Sequence, residues 1–121
     1  MKLLLVVRET CKERTLEIYC RYIYNINMKY EWDENKNTAN KQKHDGIGFE
    51  TAVRVFLDNK RIEFFDEKHS TLTEERWNVI GLVFDVLFVV YTERKESIRI
   101  ISARRATKEE EREYYDNYDL R

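Results

Sequence analysis

Residues 75–104 read ERWNVIGLVFDVLFVVYTERKESIRIISAR, and the fold turns on how that stretch is parsed. Its apolar side chains recur with a period of two, the spacing of a strand whose residues alternate between faces. Three runs result, at 75–83, 86–93 and 97–104, separated by the turn-like FD and RK segments. The middle run is apolar on both faces, as expected of a central strand. In the last run, alternation sets Arg99 on one face and Ile98, Ile100, Ser102 and Arg104 on the other, unless a bulge intervenes. Connections this short imply antiparallel hairpins, because a parallel crossover takes about a dozen residues or more.

On the N-terminal side, a shorter run at 61–65 (RIEFF), followed by DEKHSTLTE, adds a fourth strand to this meander. Before it, residues 49–57 (FETAVRVFL) place Phe49, Ala52, Val53 and Phe56 at i, i+3, i+4 and i+7, one buried face of a helix. Asp58-Asn59 is a turn. Asp33 suits the N-cap of an earlier helix over 34–44, which closes on the basic residues Lys41, Lys43 and His44 and is broken by Asp45-Gly46. On the C-terminal side, Thr107-Lys108-Glu109-Glu110 is a capping box that opens a helix through Tyr118. The expected architecture is α+β, with two N-terminal helices, a four-stranded antiparallel sheet and a C-terminal helix.

The chain has 121 residues, 42% of them apolar and 37% charged, which suits one modest domain. A domain of this size buries under about 70% of its unfolded surface, so support from a partner fits its scale. The 22 basic and 23 acidic side chains nearly cancel, leaving a formal charge of −1. These figures argue against a multidomain enzyme, a membrane span, a collagen-like chain and a disulfide scaffold. The opening apolar run, Leu3 to Val7, is cut off by Arg8-Glu9 and is shorter than a secretory signal requires. Cys11 and Cys20 have no CxxC spacing and read as reduced thiols of a cytoplasmic protein. Composition shifts at Met28, which is itself a candidate start. Residues 1–27 are therefore read as an N-terminal extension, or an artefact of an upstream start, and 28–121 as the domain. Within the extension, residues 16–26 (LEIYCRYIYNI) suit a strand or a short helix.

Near-neutral charge conceals a segregation. Arg94, Lys95, Arg99, Arg104 and Arg105 stand close together against the single acid Glu96, and the helix that follows carries six acids from Glu109 to Asp119 against Arg112. Arginines borne on a strand suit phosphate or carboxylate, since the planar guanidinium fork matches both. One reading is an RNA phosphate site; the other is ion pairing with the acidic terminal helix or with Glu63, Glu74 and Glu75. His44 and His69 are the only histidines. His44 suits the end of its helix, where a cation meets the dipole. Asp66, His69 and Glu75 are scattered at intervals that match no metal motif, so neither metal nor cofactor is expected. There is no glycine-rich phosphate loop, no GxSxG elbow and no Cys-His nucleophile pattern. The groups able to move protons are His44, His69, Glu74, Glu75 and Tyr91. Metal-independent RNA cleavage needs a base for the 2′-hydroxyl, an acid for the 5′-oxygen and cations on the phosphorane. The chain holds each kind of group, and composition goes no further.

A series of ordered stretches goes further. It runs Tyr30-Glu31-Trp32-Asp33, Lys36, Asn40, Lys43-His44, Gly46 and Phe49-Glu50, then Val55-Phe56-Leu57-Asp58, Asp66, His69, Glu74-Glu75-Arg76 and Ile80-Gly81. It ends with Val89-Val90-Tyr91-Thr92-Glu93-Arg94, Arg99-Ile100-Ile101-Ser102-Ala103-Arg104, Ala106-Thr107, Glu111-Arg112 and Tyr115. From Met28 onward the chain thereby resembles the BrnT family of toxins from type II toxin–antitoxin systems.

The resemblance implies a RelE-like fold and a cytoplasmic ribonuclease toxin that arrests translation. It implies a BrnA-type antitoxin as partner, two toxins with two antitoxins, and contact with operator DNA through that antitoxin's ribbon-helix-helix region. RNA is the implied substrate. Carried over residue by residue, Arg76, Arg94, Arg99 and Arg104 hold the scissile phosphate, with Lys43 as a further contact. His44 or Glu75 transfers the proton, and Ser102 and Tyr91 rank second. Two departures stand out. Asp45 separates the Lys-His pair from the glycine, and residues 1–27 have no counterpart in the family's short members. The competing expectations are a non-catalytic partner-binding module and a folded but degenerate toxin.

Overall fold

Asp33 accepts hydrogen bonds from the backbone N–H groups of Asn35 and Lys36 and so starts helix α1, Glu34–Lys43. In this computed structural model, which describes residues 28–118, the cap falls where its residue type directs it. The N-terminal extension, with Cys11, Cys20 and residues 16–26, lies outside the described residues. Helix α1 has no apolar face; its buried residues are Asn37 and Asn40. Hydrogen bonds take the place of apolar packing. Asn37 Oδ1 accepts from the Phe49 N–H at 2.8 Å and its amide donates to Glu50 at 2.9 Å, tying α1 to helix α2, Phe49–Ala52. The α1 helix ends as expected, at the left-handed pair Asp45 and Gly46 (φ 52° and 77°), and the Gly46 N–H bonds the Lys41 carbonyl.

The periodicity predicts one α-helix over 49–57. The structure winds that way only through Ala52 and continues as a 3-10 turn over Val53–Leu57. At three residues per turn, Val55 and Phe56 point into the core and Val53 is left partly exposed. Val55 lies directly over Gly81, where an added Cβ would stand 3.0 Å from the Val55 Cβ. Gly81 thus lets the turn approach the sheet.

Strands β2 (Ile62–Phe65), β3 (Trp77–Val83), β4 (Asp85–Arg94) and β5 (Ser97–Arg105) form the expected antiparallel meander. A further strand, β1 (Lys29–Glu31), lies parallel to β5, so the four-stranded antiparallel sheet is corrected to a mixed sheet of five, in the order β1-β5-β4-β3-β2. Three residues are too few to display a period, and the pairing of β1 with β5 spans most of the domain.

One face of the sheet carries the main core, where Val79, Val89, Tyr91 and Ile100 pack against Phe49, Val55 and Phe56. The opposite face is covered at one end, where helix α3 (Lys108–Asp116) sets Tyr114 against Ile80 and Val86. The predicted Thr107–Glu110 capping box opens α3. The Tyr114 hydroxyl donates to Asp58, which also accepts from the Leu82 N–H at 2.9 Å. Among the described residues no helix is long and apolar enough to cross a membrane.

A bulge decides what the second face displays. Tyr91 opposes Ile100 while Val90 opposes Ser102, leaving Ile101 as the extra residue in β5. Ile98 and Ile100 consequently face the helices, and Arg99, Ser102 and Arg104 share the other side. Simple alternation, which separates Arg99 from Ser102 and Arg104, is corrected here. Just past the bulge β1 has ended, and Asn40 takes its place beside β5. Its amide donates to the Ala103 carbonyl at 2.8 Å and to the Ile47 carbonyl at 2.9 Å, and its oxygen accepts from the Ala103 N–H at 3.2 Å.

Removing that amide orphans buried backbone groups, each costing about 1–3 kcal/mol. Asn40→Ala is therefore expected to lower unfolding free energy by about 2–4 kcal/mol in urea titrations. Gln42→Ala, at an exposed position of the same helix, should change it by less than about 0.5 kcal/mol.

Candidate functional site

The strand register arranges the open face in rows. Glu31 opposes Arg99 and Arg99 opposes Thr92. Arg76 stands one residue before Trp77, the first residue of β3 and the partner of Tyr91, and its carbonyl accepts from the Asp66 N–H at 2.8 Å. The next row holds Ser102, Val90, Asn78 and Phe64, and the one after it Arg104, Phe88, Ile80 and Ile62. Adjacent strands lie about 4.8 Å apart, so the stems of Arg76 and Arg99 stand about 10 Å apart. Between them is the short, buried side chain of Thr92, whose hydroxyl donates to the Glu75 carbonyl at 2.7 Å. Two long guanidinium side chains flanking a small residue can close on one tetrahedral anion from both sides.

Every one of the four arginines singled out has a carboxylate partner. Arg76 Nε meets Glu74 at 3.1 Å. Glu31 is shared, at 3.8 Å from Arg94 and 3.7 Å from Arg99, and its carboxylate also accepts from the Ser97 hydroxyl. Arg104 makes a two-pronged pair with Glu110 at 2.8 and 3.0 Å and lies over the Phe88 ring, 4.2 Å from its centroid. Of the cluster Arg94–Arg105, the ion-pair reading thus holds for Arg104 with the terminal helix, while Glu31, the partner of Arg94 and Arg99, and Asp85, 3.6 Å from Arg105, are partners that sequence reasoning missed. The bonds differ in strength. Arg104 is a clamp on the start of α3; Arg94 and Arg99 are loosely held and partly exposed.

Other expected site residues are placed elsewhere. Tyr91 is 3% exposed on the helix-covered face, edge-on to Phe56, with its hydroxyl donating to Glu63. Burial first, and the nearby Glu63 and Glu93 charges next, push its hydroxyl pKa well up. Tyr91 is a core residue and lies on the side of the sheet away from the arginines. Lys43 and His44 end α1, in the layer joined to α2 and the free edge of β5. Among the described residues neither side chain pairs with a member of the arginine face. Glu75 is exposed, two residues before β3 begins, and its carbonyl accepts from the Thr92 hydroxyl; among the described residues its side chain pairs with none of the four arginines. Ser102 does share the face with Arg76, Arg99 and Arg104.

Asp66 and His69 were legible as a spacing but not as a pair. His69 Nδ1 lies 2.9 Å from Asp66 Oδ2, and the His69 N–H donates to Asp66 Oδ1 at 3.3 Å. Burial works against the Asp66 charge, but the hydrogen bonds from His69 and the Asn78 amide hold its carboxyl below the usual carboxylate range. Among the described residues no three His, Cys, Asp or Glu side chains gather as a metal site.

A family profile described as the ribonuclease toxin, BrnT, of type II toxin–antitoxin systems matches residues 32–110. No curated protein matches. Among solved structures, the chain is similar to the 1.1 Å crystal structure of the Brucella abortus ribonuclease toxin BrnT. They are 24% identical over 68% of this chain and 100% of that one, with a TM-score of 0.48.

Burial raises the Glu110 pKa, but the hydrogen bonds from Arg104 and Thr107, together with the Arg104 charge, hold it below the usual range. A carboxyl whose folded pKa is lowered stabilises the fold above its unfolded pKa, and that stabilisation disappears as pH falls through the folded value. Glu110→Gln should therefore cost about 1–2 kcal/mol at pH 7 and flatten the acid limb of stability against pH, measured by urea unfolding. Arg104→Ala should show a comparable loss at pH 7, so its effect on function includes an effect on fold.

Proposed function

We propose, for a chain that belongs to the BrnT family of ribonuclease toxins of type II toxin–antitoxin systems, a metal-independent endoribonuclease centred on the arginine face of the sheet. The observation that carries this reading is the bulge at Ile101, which brings Arg99, Ser102 and Arg104 onto the side that holds Arg76. Arg76 and Arg99 bind the scissile phosphate from opposite sides of Thr92 and offset the charge that builds on the phosphorane, the dominant electrostatic requirement of this chemistry. Arg94 serves at the rim, where Glu31 yields it to a phosphate. Ser102 supplies a hydroxyl from the floor. Three of the five N–H donors of Arg104 are engaged with Glu110 and the Arg105 carbonyl, so it contributes through the two that remain.

A type II family implies an antitoxin partner. The proposed one is of the BrnA type, with two toxins and two antitoxins in the complex and operator DNA contacted by the antitoxin alone. Cleavage of mRNA arrests translation until the antitoxin covers the toxin. The RelE-like description fits the α+β arrangement, in which a five-stranded sheet backed by helices presents to RNA the part of its second face that α3 leaves open.

Purified toxin, free of partner, should cleave total RNA in excess EDTA, or mRNA on translating ribosomes. Arg76→Ala/Arg99→Ala should lose at least about 10³-fold in rate while remaining folded by circular dichroism. No cleavage in either setting would leave a non-catalytic partner-binding module. Cleavage that needs added magnesium on free RNA would overturn metal independence, and an undiminished double variant would move the site away from this face.

A further inference from the structure

The loop between β2 and β3 is stapled to the arginine row. The Ser70 hydroxyl donates to the Asp66 carbonyl at 2.6 Å and accepts from the Arg76 N–H at 2.8 Å, while the Asp66 N–H bonds the Arg76 carbonyl. Thr71 and Glu74 close the remainder of the loop: the Thr71 N–H donates to the Glu74 carbonyl at 2.8 Å and the Glu74 N–H to the Thr71 hydroxyl at 3.0 Å. His69 therefore sits between Asp66 and Ser70, the two residues of the loop that are bonded to Arg76. Its ring is 62% exposed, whereas the Asp66 side chain that grips it is 14% exposed. An ionised carboxylate only accepts, so Nδ1 carries the proton and the neutral ring presents the Nε2 lone pair on the side away from Asp66. Beneath the pair lies Asn78, 5% exposed, whose amide supports the Asp66 charge and whose Oδ1 has no hydrogen-bond partner among the described residues. A turn cap explains the His69 N–H to Asp66 bond. It does not explain a ring aligned by a largely covered carboxylate on the loop that ends at Arg76, nor a buried acceptor left unsatisfied in the floor, the kind of group retained where function requires it.

We infer that His69, oriented by Asp66, is the general base of RNA cleavage at the phosphate held by Arg76 and Arg99, in the place expected for His44 or Glu75. His69 is the catalytic residue of the pair and Asp66 positions it. Nε2 takes the proton of the 2′-hydroxyl, O2′ bonds to phosphorus, and the P–O5′ bond breaks. O5′ takes a proton from water, and the imidazolium returns its own to solvent. The products are a 2′,3′-cyclic phosphate and a 5′-hydroxyl, with no redox change and no co-reactant. The charged groups sharing the loop are Asp66, Glu67, Lys68, Glu74 and Glu75, with Arg76 at its end. The inference rests on the ribonuclease reading above.

The test uses the full chain and whichever RNA the wild type cuts, total RNA or translated mRNA, with Arg76→Ala/Arg99→Ala alongside. His69→Ala should lose about 10²–10⁴-fold in rate, abolish the acidic limb of the pH–rate profile, and regain activity when imidazole is added. Asp66→Asn, which keeps an oxygen to cap the turn, should lose less and shift that limb; His44→Ala should retain the limb. End-labelled products should carry the cyclic phosphate. A His69→Ala variant that cuts at the wild-type rate, or that loses activity with no imidazole rescue and an unchanged pH profile, overturns the inference and leaves the arginine site standing. A wild type that cuts nothing, or an undiminished arginine variant, overturns the site and the inference with it.

Discussion

Two hydrogen bonds from the Asn40 side chain to the backbone of Ala103 hold β5 where β1 has ended and the bulge has passed. Edge backbone in that position needs partners, since a buried N–H or carbonyl without one is destabilising. Asn40 offers a donor and an acceptor in the spacing of a peptide group and so extends the sheet by one residue's worth of pairing. The register it secures is the register that aims the arginines. A slip of one residue would exchange the faces, burying Arg99 and Ser102 against Phe49 and Val55 and exposing the isoleucines. The polar helix α1, with asparagines where a helix usually buries leucines, thus contributes to the register that decides what the opposite face displays.

Concentrating arginines on one surface carries a repulsive cost, and carboxylates placed beside them offset it. Glu31 serves Arg94 and Arg99 together, Glu74 serves Arg76, and Glu110 serves Arg104. These partners fall into two kinds. Exposed pairs at 3.7–3.8 Å contribute about 0–1 kcal/mol, so releasing Arg94 and Arg99 from Glu31 costs little. The two-pronged Arg104–Glu110 pair, stacked on Phe88, also holds the terminal helix against the sheet and is costly to release. One face therefore combines cations that are available with one that is structural. A chain of formal charge −1 can present such a face because its acids are placed among its bases rather than apart from them.

The elements that were legible are those whose signals are local. Asp33 and Thr107 cap the helices that their residue types announce, Asp45-Gly46 ends α1, and the period of two from Trp77 to Arg105 gives the hairpins. The misreadings share a different cause. Strand β1 has three residues and a partner most of the domain away. The 3-10 winding after Ala52 follows from how Val55 meets Gly81 across the sheet. Tyr91 fits a strand pattern either way up, and only its contact with Phe56 shows which way it faces.

By itself the sequence determined the α+β class, the antiparallel core of the sheet, the family, and the residue types from which the site is made. Propensity, period and motif are properties of neighbouring residues, and they survive without a three-dimensional frame. Tertiary structure alone decided which of those residues meet. The bulge at Ile101 moved Arg99 to the side of Ser102 and Arg104, the Ser70 staple joined the Asp66–His69 pair to Arg76, and helix packing placed His44 in another layer. The physical reason is that a strand's faces depend on a register set by long-range hydrogen bonds. One inserted residue reverses them without leaving a mark in the local pattern.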